Sequence, residues 1–382
     1  MILSALVERQ RGVGPPGGAV DARAAVQVGD RSIEVRALPI PDDLGEDGAL
    51  LAIEANGICG TDLDQYNGAL AAHVPYPVVA GHEIVGRLER VGDRAARRWG
   101  VGPGDRVAVE STVPCGACPN CRSGRWLACS RRVIYGLNPL ADEPGLSGGN
   151  AEYLVLRPNS MVYPLPDHVG TEDAAFFNAL GSGFDWGVRL AGTTVGDTVV
   201  IIGPGQRGLA CVAAASDAGA ERIVVAGRGG KPWKFEAARA LGATAVVNVE
   251  EDSLVDVVQH LTGGAMADRV IDTTPAGGML AVDALRCARP EGTVVWGAAK
   301  PDLTGDASRL VVSGALTVRG AYSVSPWAKR QAIAVLAAGR HDLSMVHTHT
   351  FSFGELDRAM AVFAGHVEGE EAVHVTIVPE RT

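Results

Sequence analysis

Two short stretches of the chain carry side chains that bind metals. Cys59 lies in the stretch Gly-Ile-Cys-Gly-Thr-Asp (57–62), and His82 lies in the stretch Gly-His-Glu (81–83). A thiolate and an imidazole are donors that zinc prefers. Thr61 follows the cysteine closely and would place a hydroxyl beside the metal. These residue types predict a zinc centre that polarises an oxygen atom of a small molecule.

A glycine-rich turn further along the chain has the spacing of a phosphate-binding loop. It follows the apolar run 198–202, spans residues 203–208 and includes Gly203, Gly205, Gln206, Arg207 and Gly208. The first glycine permits a tight turn, the second lets the backbone approach a pyrophosphate, and the third allows close helix packing. The N–H groups of the following helix would attract the phosphates. A dinucleotide beside a zinc centre indicates hydride transfer to or from a carbonyl carbon.

The end of the second strand in this half, 222–226, indicates which dinucleotide binds. Sites for NAD usually place an Asp or Glu there, which binds the ribose hydroxyls. Here the chain continues through Gly227, Arg228 and Lys231 to Lys234. Cations attract the 2′-phosphate of NADP and a carboxylate would repel it, so NADP is favoured over NAD. The alternative is that these cations form a solvated loop and that NAD binds without the acid.

Four cysteines lie close together in the sequence, at Cys115, Cys118, Cys121 and Cys129. Four thiolates at this density can close a tetrahedral zinc site with no open position, which folds a loop and does no chemistry. Unrelated thiols would rarely cluster so tightly. A DNA-binding zinc module is disfavoured, because the spacing is not the paired form and the surrounding chain is not basic.

The composition limits the partners. The chain has 382 residues and a formal net charge of −10, and no long run of Lys or Arg stands out. This balance disfavours nucleic acid as a partner. No apolar run approaches the roughly 20 residues of a membrane helix, so we expect no membrane partner. Residues 1–10 are predicted to form a first strand rather than a signal peptide, and we expect a cytoplasmic protein with reduced cysteines.

The pattern of apolar residues changes along the chain. Up to about residue 165, short alternating or apolar runs between Gly, Pro and Asp clusters predict a mainly β domain. From residue 198, apolar strands alternate with helical stretches, which predicts the α/β class with a doubly wound parallel sheet. Thr171 is predicted to cap a helix. The predicted later strands are 198–202, 222–226, 245–249, 269–272, 292–296 and 373–378. The predicted helices are 208–218, 234–241, 254–261, 279–288, 328–338 and 351–360.

Three motifs together resemble the zinc-dependent branch of the medium-chain alcohol dehydrogenase family. They are Gly-x-Cys-Gly-Thr-Asp (57–62), Gly-His-Glu (81–83) and Val-Gly-Pro-Gly-Asp-Arg-Val (101–107), and the resemblance runs from about residue 4 to residue 379. It implies a GroES-like domain over 1–165 with a structural zinc lobe at about 111–132, a Rossmann domain over 166–325, and a return to the first domain over 326–382. It also implies a homodimer or homotetramer.

The resemblance assigns roles at the catalytic zinc. Cys59 and His82 match two ligands, and the position of the third ligand falls on Asn178, where relatives carry Cys, Asp or Glu. Because an amide is a poor zinc ligand, the adjacent Glu83 is the expected substitute or a nearby anion. Thr61 is expected to accept the proton of the alcohol. Relatives continue this relay with a His three residues later, and this chain has Asp64 there.

The expected reaction transfers a hydride between an alcohol, or an aldehyde or ketone, and NAD(P). Two alternatives remain open: a zinc-free quinone or enone reductase of the same superfamily, and a non-catalytic dinucleotide-binding protein with structural zinc only. Asn178 supports both alternatives, and Asp64 also supports the second. Three aromatic residues fall near the expected substrate site or in the core: Tyr66, Phe177 and Trp186.

Overall fold

The structure is a computed structural model that describes residues 21–141, 145–303 and 305–380. The first strand predicted for residues 1–10 lies outside the described residues. Among the described residues, no helix is both long and apolar enough to cross a bilayer.

The first part of the chain is mainly β, as its sequence predicts. Ala49–Gly57 is a central strand, because it pairs on one side with Glu83–Val91 and on the other with His374–Val378 from the end of the chain. The remaining strands of this part are Asp21–Gly29, Ser32–Pro39, Val78–Val79, Arg106–Val109, Thr112–Val113, Val133–Ile134, Tyr153–Leu156, Val162–Pro164 and His347–Ser352. Its helical segments are Gly60–Tyr66, Asp93–Trp99, Pro119–Arg122, Trp126–Ala128, Phe353–Glu355 and Leu356–Phe363.

The later part of the chain forms a six-stranded parallel sheet. Its strands, in spatial order, are Ala245–Asn248, Arg222–Gly227, Thr198–Ile202, Ala267–Asp272, Ala288–Trp296 and Thr317–Gly320. The order of connection reverses beside Thr198–Ile202, and in such sheets ligands bind at that point, outside the carboxyl ends of the strands. The helices of this part are Gln206–Asp217, Pro232–Ala240, Leu254–Leu261, Gly278–Cys287, Gly305–Ser313 and Pro326–Ala338.

A helical segment connects the two parts of the chain. It consists of Thr171–Ala175, Phe177–Ser182 and a π-helical stretch, Gly183–Leu190. Phe177–Ser182 packs against Gln206–Asp217 and Pro326–Ala338, and all of its residues are buried. This buried packing holds Asn178 between the end of the first sheet and the glycine-rich turn.

The doubly wound parallel sheet beside a mainly β part is confirmed, and two local predictions are wrong. Phe351 lies in the strand His347–Ser352 rather than in a helix, because that strand pairs in parallel with His374–Val378. Thr171 is the first residue of its helix, and Gly170 occupies the cap position. The domain boundaries at 165 and 325 stay predictions.

Candidate functional site

Cys59 and His82 come together at the ends of two neighbouring strands. Gly57 pairs with Glu83 across the sheet, so the residues that follow and precede these positions lie side by side. The Sγ atom of Cys59 is 3.1 Å from Nε2 of His82. Cys59 is fully buried and His82 nearly so. The two donors predicted for a zinc ion therefore face each other in a protected position.

Asp62 completes this cluster, and its donor atom lies within 4.8 Å of those of Cys59 and His82. One oxygen of Asp62 is 3.2 Å from Nδ1 of His82, and the other accepts the backbone N–H of Cys59 at 2.9 Å. Burial pushes the pKa of His82 down, but the charges of Asp62 and Cys59 outweigh it and the pKa is raised well above its usual value. A carboxylate that accepts the N–H of Nδ1 leaves Nε2 free to bind a metal. This arrangement fixes the ring orientation of histidines that bind zinc. The donor set fits that ion.

Asp62 lies in the first motif, but its residue type alone predicts no role for it. The sequence feature that could have identified Asp62 is its position three residues after Cys59, on the first turn of the helix Gly60–Tyr66. This turn brings its carboxylate back to the N–H of Cys59. Its contact with His82 joins two segments that only the fold brings together.

Glu83 and Asn178 bind each other beside the cluster. The side-chain N–H of Asn178 donates to Oε1 of Glu83 at 2.8 Å. Glu83 is fully buried, and burial raises its pKa. Glu83 lies outside the group formed by Cys59, Asp62 and His82. The identity of a third zinc ligand stays a prediction.

Thr61 lies where two cavities meet. One cavity of about 260 Å³ is lined by Thr61 with His82 and Asn178. The other, of about 520 Å³, is lined by Thr61 with the exposed Asp64 and the glycine-rich turn. Gln206 donates from Nε2 to the carbonyl of Ile58 at 3.1 Å and so fixes this turn to the strand end before Cys59. The metal cluster and the cofactor cleft are therefore neighbours.

The glycine-rich turn has the geometry that the sequence predicts. Gly203 has a φ of +96°, and a Cβ added there would lie 2.5 Å from Cγ2 of Thr274. A Cβ at Gly208 would lie 1.8 Å from the carbonyl oxygen of Gly203. A Cβ at Gly205 would meet nothing within 4 Å, so the backbone there is open to a ligand. Gln206–Asp217 begins at this point and directs its first N–H groups to the cleft.

The cations predicted to attract the 2′-phosphate of NADP line a cavity of about 410 Å³ next to Gly203 and Gly205. Its charged lining consists of Arg228, Lys231, Lys234 and Glu250. Burial lowers the pKa of Lys234 to about 8, and the neighbouring Lys231 adds to the shift. Glu250 was missed, because it follows the third strand; its carboxylate accepts the N–H of Gly229 at 3.1 Å. Gly227 ends the second strand and also lines the adjoining cavity of about 430 Å³.

Arg207 extends from the glycine-rich turn toward the metal cluster. Its guanidinium carbon lies 5.1 Å from the ring centre of Trp186, and Nη2 is 3.9 Å from Oε1 of Glu83. Trp186 lines the smaller cavity with His82, as the sequence suggested. The other two candidate aromatic residues lie elsewhere: Phe177 is in the core and Tyr66 binds Asp357 at 2.8 Å.

The four clustered cysteines form a second donor set. The Sγ atoms of Cys115, Cys118, Cys121 and Cys129 lie within 4.8 Å of one another. Backbone N–H groups lower the pKa of Cys115 to about 6, whereas desolvation and the neighbouring thiols raise the pKa of Cys121 to about 12. Four thiolates this close repel one another unless a cation lies between them. The arrangement fits a closed zinc site.

Comparisons with known proteins agree with this geometry. Residues 45–167 match the alcohol dehydrogenase GroES-like domain, and residues 208–338 match the zinc-binding dehydrogenase family. A probable alcohol dehydrogenase of Mycobacterium tuberculosis is 39% identical over 372 residues, which cover 95% of this chain and 99% of that protein. The erythritol/L-threitol dehydrogenase of Mycolicibacterium smegmatis is 32% identical over 87% of this chain and 90% of that protein.

Solved structures show the same fold. The alcohol dehydrogenase of Thermus sp. ATN1 has a TM-score of 0.78 and 29% identity, with 94% of this chain and 100% of that chain covered. A protein described as a zinc-binding dehydrogenase from Sinorhizobium meliloti, solved with NADP bound, has a TM-score of 0.81 and 27% identity over 94% of this chain and 100% of that chain. The chain belongs to the zinc-dependent medium-chain dehydrogenase/reductase family, and its reaction is NAD(P)-linked oxidation of an alcohol or its reversal.

Proposed function

We propose that this chain transfers a hydride between NADP(H) and a small alcohol or carbonyl compound at a zinc ion held by Cys59 and His82. The observation that carries the proposal is the position of Thr61. It borders the cavity at the cysteine–histidine pair and also the cleft at the glycine-rich turn. A substrate oxygen near the metal and a nicotinamide in the cleft would then meet at one residue.

Each residue of the cluster has a distinct task in this reaction. Cys59 and His82 hold the metal, and Asp62 fixes the direction of the imidazole. When bound, zinc supplies a Lewis acid for the substrate oxygen, and the nicotinamide accepts or returns the hydride. Oxidation of the alcohol removes a hydride from carbon and a proton from oxygen. The hydroxyl of Thr61 receives that proton as it releases its own through water to the carboxylate of the exposed Asp64, which passes a proton to solvent.

The proposed preference for NADP rests on the charged cavity beside Gly203 and Gly205. Three cations and one carboxylate line it, which leaves an excess of positive charge for a 2′-phosphate. Glu250 is already engaged with the N–H of Gly229. The NADP bound to the Sinorhizobium meliloti relative is consistent with this preference. We further propose one catalytic and one structural zinc per chain, and a homodimer or homotetramer.

Turnover of the zinc-loaded protein tests the proposal. A panel of primary and secondary alcohols is offered with NADP⁺ or NAD⁺, and formation of the reduced cofactor is followed by absorbance. We expect turnover with a higher kcat/KM for NADP⁺. The variant Arg228→Met should lose about tenfold in kcat/KM for NADP⁺, the value of one charged contact, and much less for NAD⁺. Absence of turnover with either cofactor, in protein that holds both zinc ions, would overturn the proposal.

A further inference from the structure

The guanidinium of Arg207 belongs to the substrate cavity as well as to the cofactor cleft. Arg207 lines both cavities, and its side chain is 30% exposed. The ring of Trp186 lies against it, with 5.1 Å between the guanidinium carbon and the ring centre. This stacking holds the side chain in one direction, beside His82 and Asn178 on the cavity wall.

The donors of this guanidinium have no hydrogen-bond acceptor among the residues that the structure describes. In the described parts of the chain, the guanidinium of Arg207 makes no hydrogen bond, and its one ion pair is the 3.9 Å contact with Glu83. That distance is too long for a hydrogen bond, and Oε1 of Glu83 already accepts from Asn178. An arginine presents five N–H donors in a planar fork that matches a carboxylate. The fork of Arg207 is therefore available to a ligand.

Among the residues that the structure describes, no carboxylate lines the cavity itself beside this cation. Its described lining contains hydroxyl, amide, aliphatic and aromatic groups together with His82 and Arg207, and no Asp or Glu. Asn178 is neutral, and the fully buried Glu83 does not line the cavity, although its Oε1 lies 3.9 Å from Nη2 of Arg207. A zinc ion at the cysteine–histidine pair would add further positive charge. The cavity thus attracts an anion of the size that about 260 Å³ admits.

We infer that Arg207 binds a carboxylate of the substrate, so that the preferred substrates are short hydroxycarboxylates and the corresponding oxo acids. The inference rests on the proposed function and names its substrate class. In the forward direction, the hydroxycarboxylate loses a hydride from its carbinol carbon to NADP⁺ and a proton to solvent. The products are the oxo acid, NADPH and H⁺. Arg207 takes no part in the transfer; it holds the carboxylate and thereby orients the hydroxyl toward the metal.

The competing interpretation assigns Arg207 to the pyrophosphate of the cofactor, as its place in the glycine-rich turn indicates. The two interpretations differ in what a neutral side chain would change. Loss of a pyrophosphate contact weakens the cofactor with every substrate. Loss of a substrate contact lowers kcat/KM for acids alone.

The test compares 3-hydroxybutyrate with its methyl ester, which has the same carbinol and no charge. We expect the wild-type protein to prefer the acid. In Arg207→Met, the ratio of kcat/KM for the acid to that for the ester should fall about 10- to 100-fold, as expected for a charge-assisted pair. Arg207→Lys keeps the positive charge but lacks the planar fork of donors. Its acid-to-ester ratio should therefore lie between those of the wild type and Arg207→Met. The control Arg228→Met should change the KM for NADP⁺ and leave the acid-to-ester ratio unchanged.

A binding measurement removes the dependence on turnover. Calorimetric titration of 3-hydroxybutyrate into the zinc-loaded protein with NADP⁺ should show binding to the wild type and at least about tenfold weaker binding to Arg207→Met and Arg207→Gln. Turnover of the ester with an unchanged acid-to-ester ratio in the variants would overturn the inference and leave the proposed function intact. An equal loss for both substrates with a raised KM for NADP⁺ would assign Arg207 to the cofactor instead. No turnover with any alcohol, but Arg207-dependent binding of the acid, would overturn the proposed reaction alone.

Discussion

Substitution of Asp62 by Asn should weaken zinc at the cysteine–histidine pair. One carboxylate orients both donors, since it contacts Nδ1 of His82 at 3.2 Å and the N–H of Cys59 at 2.9 Å. Its side chain is 2% exposed, so water cannot replace it. Loss of a charge-assisted hydrogen bond costs about 1.5–3 kcal/mol. Removal of a group that orients a metal ligand weakens binding about 10- to 100-fold, and the two estimates agree.

The assay is competition for zinc between the protein and a chromogenic chelator, with the four-cysteine site already filled. The weaker of the two protein sites should lose about 10- to 100-fold in affinity in Asp62→Asn. Asp105→Asn is the matched control, because Asp105 accepts a backbone N–H of the same part of the chain, from Gly102 at 2.8 Å, outside the cluster. An affinity within twofold of the wild type in Asp62→Asn would refute the role given to this carboxylate.

Two further predictions concern charge. Lys234, with a pKa of about 8, is charged below that pH and loses its attraction for a 2′-phosphate as pH rises through it. The KM for NADP⁺ should therefore rise between pH 7 and pH 9, while that for NAD⁺ should rise less; the same rise in Lys234→Met would contradict the assignment. Lys300 and Asp272 form a buried pair at 2.7 Å, with side chains 2% and 0% exposed. Lys300→Met leaves a buried carboxylate without its partner and should lower the free energy of unfolding in urea by about 3–5 kcal/mol. The double variant with Asp272→Asn should recover most of this loss, and no recovery would argue against the pair as the cause.

The parallel sheet was predictable because its strands are buried on both faces. Such strands consist of continuous apolar residues, and the predicted bounds of Thr198–Ile202 match the structure. Leu254–Leu261 also matches, since one face of this helix is apolar. The helix Gly305–Ser313 and the edge strand Thr317–Gly320 were missed. Both are largely exposed, so neither requires a clear apolar pattern.

The candidate site was predictable where the backbone alone defines it. The glycines at Gly203 and Gly208 are required by a positive φ and by a close approach, and such requirements are visible in the sequence. The direction of a long side chain, in contrast, is not visible in the sequence. Arg207 lies in the phosphate-binding motif, yet Trp186 and Glu83, distant in the sequence, draw its guanidinium to the substrate cavity. Glu250 likewise reaches the cofactor cavity from a neighbouring strand, which only the sheet order brings there.

Cys59 and His82 should hold a zinc ion distinct from that of the four-cysteine site. The most direct test is zinc per chain, measured by plasma mass spectrometry on unchelated protein in three forms: wild type, Cys59→Ser and Cys121→Ser. We expect about two zinc ions in the wild type and about one in each variant, one for each donor set. About one zinc ion in the wild type and an unchanged value in Cys59→Ser would contradict this expectation, because only the four-cysteine site would then be filled.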